Sequence, residues 1–430
     1  MWRAVRRWDP TLFIWTLAVM TLIGFTFSKH RLSTNPLSRF VTVERLVEAG
    51  TLAHDGSPLP MSVDTIVVDG KRYSTKPPNY SLLLAAEAWV LRVASGWSVA
   101  SAQRFYLWAL VALNQVLLYA AMLWVVRRWV RELTDDTWAQ SVVLLGASFG
   151  CLAYGYAVTL NNHTPTAALL LLAGYLVYRL RHHHGDPQSG DPTSGRLGRS
   201  AIPTAAVAGL LASLATTFEM TAGAFAAVMG LLLLRWRPRL FAAYGLASLL
   251  PLVPMFWTYY HVSGSVVPFY FQKNLYEYAG SYWNNPSGWD ALSEPKWKYA
   301  FHALLGHHGW LSLTPFYFFG LAGAALCVRQ RGRLAAEALA LGVGTLAIIG
   351  FIIIATHNYG GITTGMRWFA LFGPLWMLAA APALARISAR RRLRWLVYVA
   401  LAVSMAATLE VMIHSAFHYG GWPSALSGAT

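Results

Sequence analysis

Residues 76–95 read KPPNYSLLLAAEAWVLRVAS, and whether this stretch crosses a membrane decides the topology of the whole chain. Its apolar part is about 15 residues long, where a spanning helix needs roughly 20. It also carries Glu87 and Arg92. Apolar runs recur near 11–28, 81–95, 105–126, 139–160, 165–178, 201–218, 221–234, 240–260, 309–328, 335–356, 368–385 and 395–413. If every run crosses and Arg3, Arg6 and Arg7 are inside, Arg127, Arg128 and Arg131 fall outside, against the tendency of Lys and Arg to stay cytoplasmic. If 79–95 does not cross, these three fall inside. So do Arg179/Arg181, Arg235/Arg237/Arg239, Arg329/Arg331/Arg333 and Arg386/Arg390/Arg391/Arg392/Arg394. The expected fold is therefore all-α: a polytopic membrane protein with about 11 transmembrane helices. Its N-terminus is inside, its C-terminus outside, and its first outer loop carries juxtamembrane helices.

Composition agrees. Of 430 residues 56% are hydrophobic and only 12% charged, against about 25% charged in soluble proteins. This excludes a soluble enzyme, a disordered chain and a fibrous repeat. The net charge of +16, from 34 Lys and Arg against 18 Asp and Glu, sits at helix ends. No basic stripe interleaved with aromatics marks a nucleic-acid surface, so no nucleic acid is expected. Cys151 and Cys327 lie within apolar runs and read as small core residues. The first apolar run is too long for a signal-peptide core and reads as a retained helix. Dinucleotide, P-loop, zinc-protease and CxxC motifs are absent.

The topology gives one integral membrane domain over 1–430, with two large outer loops at 29–104 and 261–308. A flexible cytoplasmic linker at 181–200 (RHHHGDPQSGDPTSGRLGRS) is polar and rich in Gly and Pro. In the first loop, 37–49 has Phe40, Val43, Leu46 and Val47 at helical spacing and reads as a helix on the membrane surface. Asp69-Gly70 marks a hairpin. Lys76-Pro77-Pro78 opens the non-crossing helix, and a basic residue at a helix start beside a bilayer suits a lipid-linked phosphate.

Polar residues gather on this outer face. Arg39, Lys76 and Arg367 are candidate phosphate contacts: Arg clamps phosphate oxygens in a fork and Lys acts as a point charge. Anionic lipid headgroups would satisfy Arg39 and Lys76 equally, and a helix-end Arg367 can simply snorkel. Asp64, Glu44 and Glu219 are candidate general bases, with Asp55 and Asp69 behind them. Tyr73, Asn162, His163, His357 and Tyr359 are candidate substrate contacts. His302, His307, His308 and His357 leave base or metal roles open, so no cofactor is assigned and a divalent metal stays possible. Tyr270, Trp283, Trp289 and Trp297 suit sugar faces or an interfacial belt.

These residues resemble the GT-C superfamily of membrane glycosyltransferases, in particular the bacterial branch near the aminoarabinose transferases and protein O-mannosyltransferases. The resemblance rests on Ser38-Arg39-Phe40 with Arg45, on the G-x-x-Y-x-x-K-P-P segment from Gly70 to Pro78, on Arg104, and on YGGITTGMRW at 359–368. It implies transfer of a sugar from a polyprenyl-phosphate donor to a glycan, lipid or protein acceptor at the outer face of a bacterial inner membrane. The anomeric configuration would invert. One departure stands out. Where the family commonly has an acid after the first span, this chain reads Ser33-Thr34-Asn35-Pro36-Leu37, so the base must come from another carboxylate. The competing readings are a transporter or lipid-carrier flippase, which calls for charge near the bilayer midplane, and an inactive protein that kept the fold.

Overall fold

The computed structural model describes residues 9–26, 32–183, 200–287, 290, 293–332, 334–356, 358–361 and 363–414. The 184–199 part of the linker, His357 and Trp289 lie outside the described residues.

The first helix, α1 (Pro10–Thr26), is capped by Asp9, whose Oδ1 accepts from the Thr11 N–H at 3.1 Å. After α2 (Thr34–Ala49) come the strands β1 (Thr65–Val68) and β2 (Lys71–Ser74), then α3 (Pro78–Ser95). A single continuous helix follows, made of α4 (Gln103–Val111), a π turn at 112–117, and α5 (Leu118–Leu133). Arg127 and Arg131 of α5 close on Asp9, and Trp15 Nε1 donates to Ala120 O at 2.9 Å. The helices α1 and α5 are thus antiparallel, and 32–102 is strung between their far ends.

The run 139–160, expected as one span, is broken. Helix α6 (Thr137–Phe149) stops at Gly150, and α7 (Leu152–Tyr156) is a short separate piece. Polar contacts hold the turn that follows α7. Asn161 donates to the carbonyls of Tyr156 at 2.8 Å and Thr159 at 2.9 Å, so the freed backbone acceptors are satisfied without a helix. Its Oδ1 also caps α8 (His163–His183) through Thr164 N–H at 2.9 Å.

Helix α9 (Ala201–Phe218) leads through a turn at Glu219 into α10 (Gly223–Trp236). It packs along α11 (Pro238–Ser263) closely enough that a Cβ on Gly209 would lie 2.0 Å from Tyr244 O. The second loop carries 3₁₀ turns at 269–271, 273–276 and 282–284, then α12 (Lys296–Leu304) and α13 (Trp310–Leu313). The chain closes with α14 (Tyr317–Arg329), α15 (Ala335–Ala355), a 3₁₀ turn at 367–372, α16 (Gly373–Ala379), α17 (Ala381–Ile387) and α18 (Arg391–His414).

Among the described residues six helical stretches are long and apolar enough to cross a membrane, and three shorter apolar helices accompany them. The β-hairpin is the one two-stranded sheet among the described residues. This is an all-α, multi-pass membrane protein. Exposed Leu246, Leu250, Leu346, Ile354 and Trp395 on these helices face what would be lipid rather than water.

Helix α3 is docked rather than free. Glu87 takes a hydrogen bond from Asn114 Nδ2 in the π turn, and Gln115 Nε2 reaches Tyr80 OH at 2.7 Å. Trp89, Val90 and Val93 of α3, and Trp97 just past its end, stay exposed.

Candidate active site

The site begins with the hairpin. Thr65 pairs with Ser74 and Val68 with Lys71, and the two-residue Asp69-Gly70 turn has φ of 49° and 75°. This is the left-handed geometry that tight hairpins demand, and it sends Asp69 to the exposed tip. At the open end, Ser38 Oγ of α2 donates to Asp64 O at 2.7 Å and lies 2.8 Å from Ser74 Oγ. Ser38 thereby fastens both strands to α2. The residue before β1, Asp64, and the residue two after β2, Lys76, are brought together as a buried ion pair, Nζ to Oδ2 at 3.1 Å. Asp55 instead accepts from the Arg72 N–H at 2.8 Å on the surface.

Next to Ser38, Arg39 is 1% exposed. Its Nη1 donates to Pro77 O at 3.2 Å, its guanidinium lies 5.5 Å from the Tyr80 ring centroid, and its Nε has no partner. The Lys-Pro-Pro segment thus anchors one edge of the Arg39 fork and leaves the rest unspent.

Both cations line a cavity of about 1080 Å³. Asp64, Asn162, His163, Glu219 and Arg367 join them on its wall. Glu219 Oε2 accepts from Asn162 Nδ2 at 2.6 Å and lies 3.0 Å from His163 Nδ1. Arg367 enters at the head of its 3₁₀ turn, beside Gly360. There φ is +90°, and a Cβ would meet the Arg367 side chain at 3.1 Å. The glycines of this turn make room for the arginine. Its Nε has no partner. One flank of the cavity is apolar, formed by Ala347, Ile348, Phe351, Ile352 and Ala355 of α15.

Burial pushes Lys76 below the ordinary lysine value, with Asp64 pulling the other way and Arg367 and Arg39 adding to the fall. Burial raises Glu219, but the adjoining His163 and the charges of Arg367 and Arg39 outweigh it, so the carboxyl is held below its usual range. Glu219 is ionised at neutral pH.

Not all expected residues converge. Glu44 accepts from Ser57 Oγ at 2.6 Å and does not line the cavity. Tyr73 pairs with Ile66 in the hairpin and lies off the wall. Tyr359 is buried, donates to Glu294 and stacks on His308 at 4.7 Å. His307 is pushed down to about 4 and His308 to about 3, both chiefly by burial. Among the described residues no three His, Cys, Asp or Glu form a metal-holding group. Asp64 and Glu219 are each already matched, to Lys76 and to Asn162.

No known family profile and no curated protein matches this sequence. Solved structures do. The archaeal oligosaccharyltransferase AglB from Archaeoglobus fulgidus, in complex with an inhibitory peptide and a dolichol-phosphate, is similar at TM-score 0.54 and 14% identity, over 97% of this chain and 57% of that one. The apo form of the A. fulgidus oligosaccharyltransferase gives TM-score 0.51 and 13% identity, over 98% and 58%. The chain shares the membrane fold of these oligosaccharyltransferase structures. The chain spans a little under three fifths of the length of these neighbours.

The sequence alone did not single out Thr75, Tyr276, Asn284 or Asp290 as site residues, all on the cavity wall. Thr75 adjoins Lys76 and was within reach of the motif. The other three sit in a loop without periodicity, in a chain holding 20 Tyr, and nothing local distinguishes them.

Proposed function

We propose that this protein transfers a sugar from a polyprenyl-phosphate donor to an acceptor hydroxyl at the outer face of a bacterial inner membrane. The observation that carries the reading is the convergence of Arg39, Lys76 and Arg367 with Asp64 and Glu219 on one cavity, one flank of which is apolar helix α15. Three cations suit a phosphate. Helix α15 is itself long enough to span a bilayer, so a polyprenyl chain can lie along it while its phosphate enters the cavity. In this orientation α3 rests at the interface with Trp89 and Trp97 outward, and the Arg clusters face the cytoplasm.

The reaction is a direct displacement. The acceptor oxygen attacks the anomeric carbon, the carbon–oxygen bond to phosphate breaks, and the phosphate leaves with the electron pair. Asp64 takes the acceptor proton. Arg39, Lys76 and Arg367 stabilise the charge that grows on the departing phosphate. Asp64 suits the base role better than Glu219, because its partner is a lysine that an arriving phosphate can engage, whereas Glu219 is fixed by Asn162 and His163. Glu219 orients Asn162 and His163 and balances the arginines.

The test is mass spectrometry of envelope glycans from cells with and without the gene, complemented by wild type or by Lys76→Ala. Loss of one glycosyl residue, restored only by wild type, is expected. Unchanged glycans reject the reading.

A further inference from the structure

Two buried polar atoms on the cavity wall have no partner and no role in handling phosphate. They are the Tyr276 hydroxyl and the Trp283 indole Nε1. A buried polar group without a hydrogen bond is costly, and the two residues that carry these atoms line the same cavity, so a ligand there can supply the missing partners. Their rings are 6.4 Å apart at 86°, an edge-to-face pair.

The segment that bears them is fixed against the phosphate-handling half of the site. Thr65 Oγ1 of β1 and the Tyr278 hydroxyl are 3.0 Å apart. Asn284 Nδ2 donates to Tyr278 O at 2.9 Å, which leaves the Asn284 Oδ1 as an acceptor. Asp290 Oδ2 accepts from the Tyr282 hydroxyl at 3.0 Å. The wall therefore offers aromatic faces, two donors, an amide oxygen and a carboxylate. A phosphate would be repelled by Asp290, and an acyl chain would leave the donors unmet. A sugar hydroxyl both donates and accepts, and a pyranose presents several beside an apolar face.

We infer that Tyr276, Trp283, Asn284 and Asp290 form a glycosyl subsite that binds the hydroxyls of the donor sugar, next to the cations that bind its phosphate. The inference rests on the donor reading above and names the part of the cavity that selects the sugar. Burial raises Tyr276 well beyond the ordinary tyrosine value, so its hydroxyl remains a proton donor throughout the working range.

Binding to the full-length protein in nanodiscs separates the two ideas. The probes are bare polyprenyl phosphate and a panel of polyprenyl-phosphate-linked glucose, mannose, galactose, N-acetylglucosamine and arabinose. For wild type, at least one glycosylated probe should bind about tenfold more tightly than bare polyprenyl phosphate, in line with one or two added hydrogen bonds. Tyr276→Phe and Trp283→Phe should each lose most of that difference and leave binding of the bare phosphate unchanged, which also reports that they are folded. Three results overturn the subsite alone: no glycosylated probe gains over bare phosphate, the variants keep the full gain, or they lose both probes equally. If wild type binds neither bare nor glycosylated probe, the donor reading itself falls and the subsite with it.

Discussion

Asp64 and Lys76 are 12 positions apart in sequence, yet Lys76 Nζ stands 3.1 Å from Asp64 Oδ2, and both side chains are buried. The hairpin between them makes the pair: its two-residue turn folds the chain back, and Ser38 holds its open end to α2. A phosphate arriving beside Lys76 competes with Asp64 for the same ammonium group. On the proposed function, this would release the carboxylate at the moment a base is needed.

Breaking this pair on one side leaves an unpaired buried charge, which costs about 3–5 kcal/mol. Lys76→Met should therefore lower the melting temperature in detergent clearly. Adding Asp64→Leu to it should recover most of the loss, since a neutral pair of similar volume is tolerated. Neither form should transfer sugar. A double variant no more stable than Lys76→Met rejects the pair as the source of the destabilisation.

The depressed lysine gives a pH signature. Lys76 is charged below its own pKa, which burial sets below the ordinary 10.5. Affinity for polyprenyl phosphate should decline as pH rises toward that ordinary value, above pH 8, where the phosphate charge no longer changes. In Lys76→Arg the guanidinium stays protonated, so the decline should vanish even if the absolute affinity drops. Parallel slopes in the two proteins assign the decline to some other group.

Much of this arrangement was legible in the chain. Arg39, Lys76, Arg367, Asp64, Glu219, Asn162 and His163 were legible as outer-face polar residues because charge at membrane depth is expensive and stands out. Glu44 carries the same signal, but its helix turns it toward Ser57, and only tertiary packing decides that. The break at Gly150 was hidden because 139–160 is mostly apolar and its few Gly, Ser, Thr and Gln residues are common in membrane helices. Past the break, Asn161 reaches back to the carbonyls of Tyr156 and Thr159 and holds the turn into α8. Trp283 was named as suiting a sugar face or an interfacial belt, whereas Tyr276 was lost among many aromatics whose default in a membrane protein is that belt.

The scaffold behind Glu219 should be sensitive to one methyl group. Glu219 follows α9 directly, and α9 rides on α11 where a Cβ on Gly209 would lie 2.0 Å from Tyr244 O. That contact is backbone, so it cannot swing aside. Ser213 Oγ to Ser248 O at 2.6 Å and Ser248 Oγ to Gly209 O at 3.1 Å tie the same seam. Gly209→Ala should force the helices apart, cost about 1–3 kcal/mol and reduce transfer by displacing Glu219. Gly245→Ala, on the same α11 with nothing within 4 Å of its Cβ, should do neither. Equal melting temperatures for the two variants reject the tight seam.

The last prediction separates the two carboxylates. Both line the cavity, but they are held differently. Asp64 faces a lysine that a phosphate can draw away. Glu219 is fixed by Asn162 at 2.6 Å and His163 at 3.0 Å, and the surrounding cations keep it a weak base. An amide keeps the shape of a carboxylate and removes its basicity. A positioned base contributes about 10²–10⁴-fold, so Asp64→Asn should lower the single-turnover transfer rate by that amount in the folded protein while donor binding persists; because it also leaves Lys76 unpaired, its melting temperature should fall as in Lys76→Met. Glu219→Gln should stay within about tenfold of wild type in rate. By removing one negative charge near Arg39 and Arg367 it should bind the donor no more weakly. Single-turnover transfer and donor binding, measured on each variant at equal abundance, decide the matter. A collapse of rate in Glu219→Gln with Asp64→Asn active would move the base to Glu219, acting with His163. Activity in both would exclude base catalysis by either carboxylate.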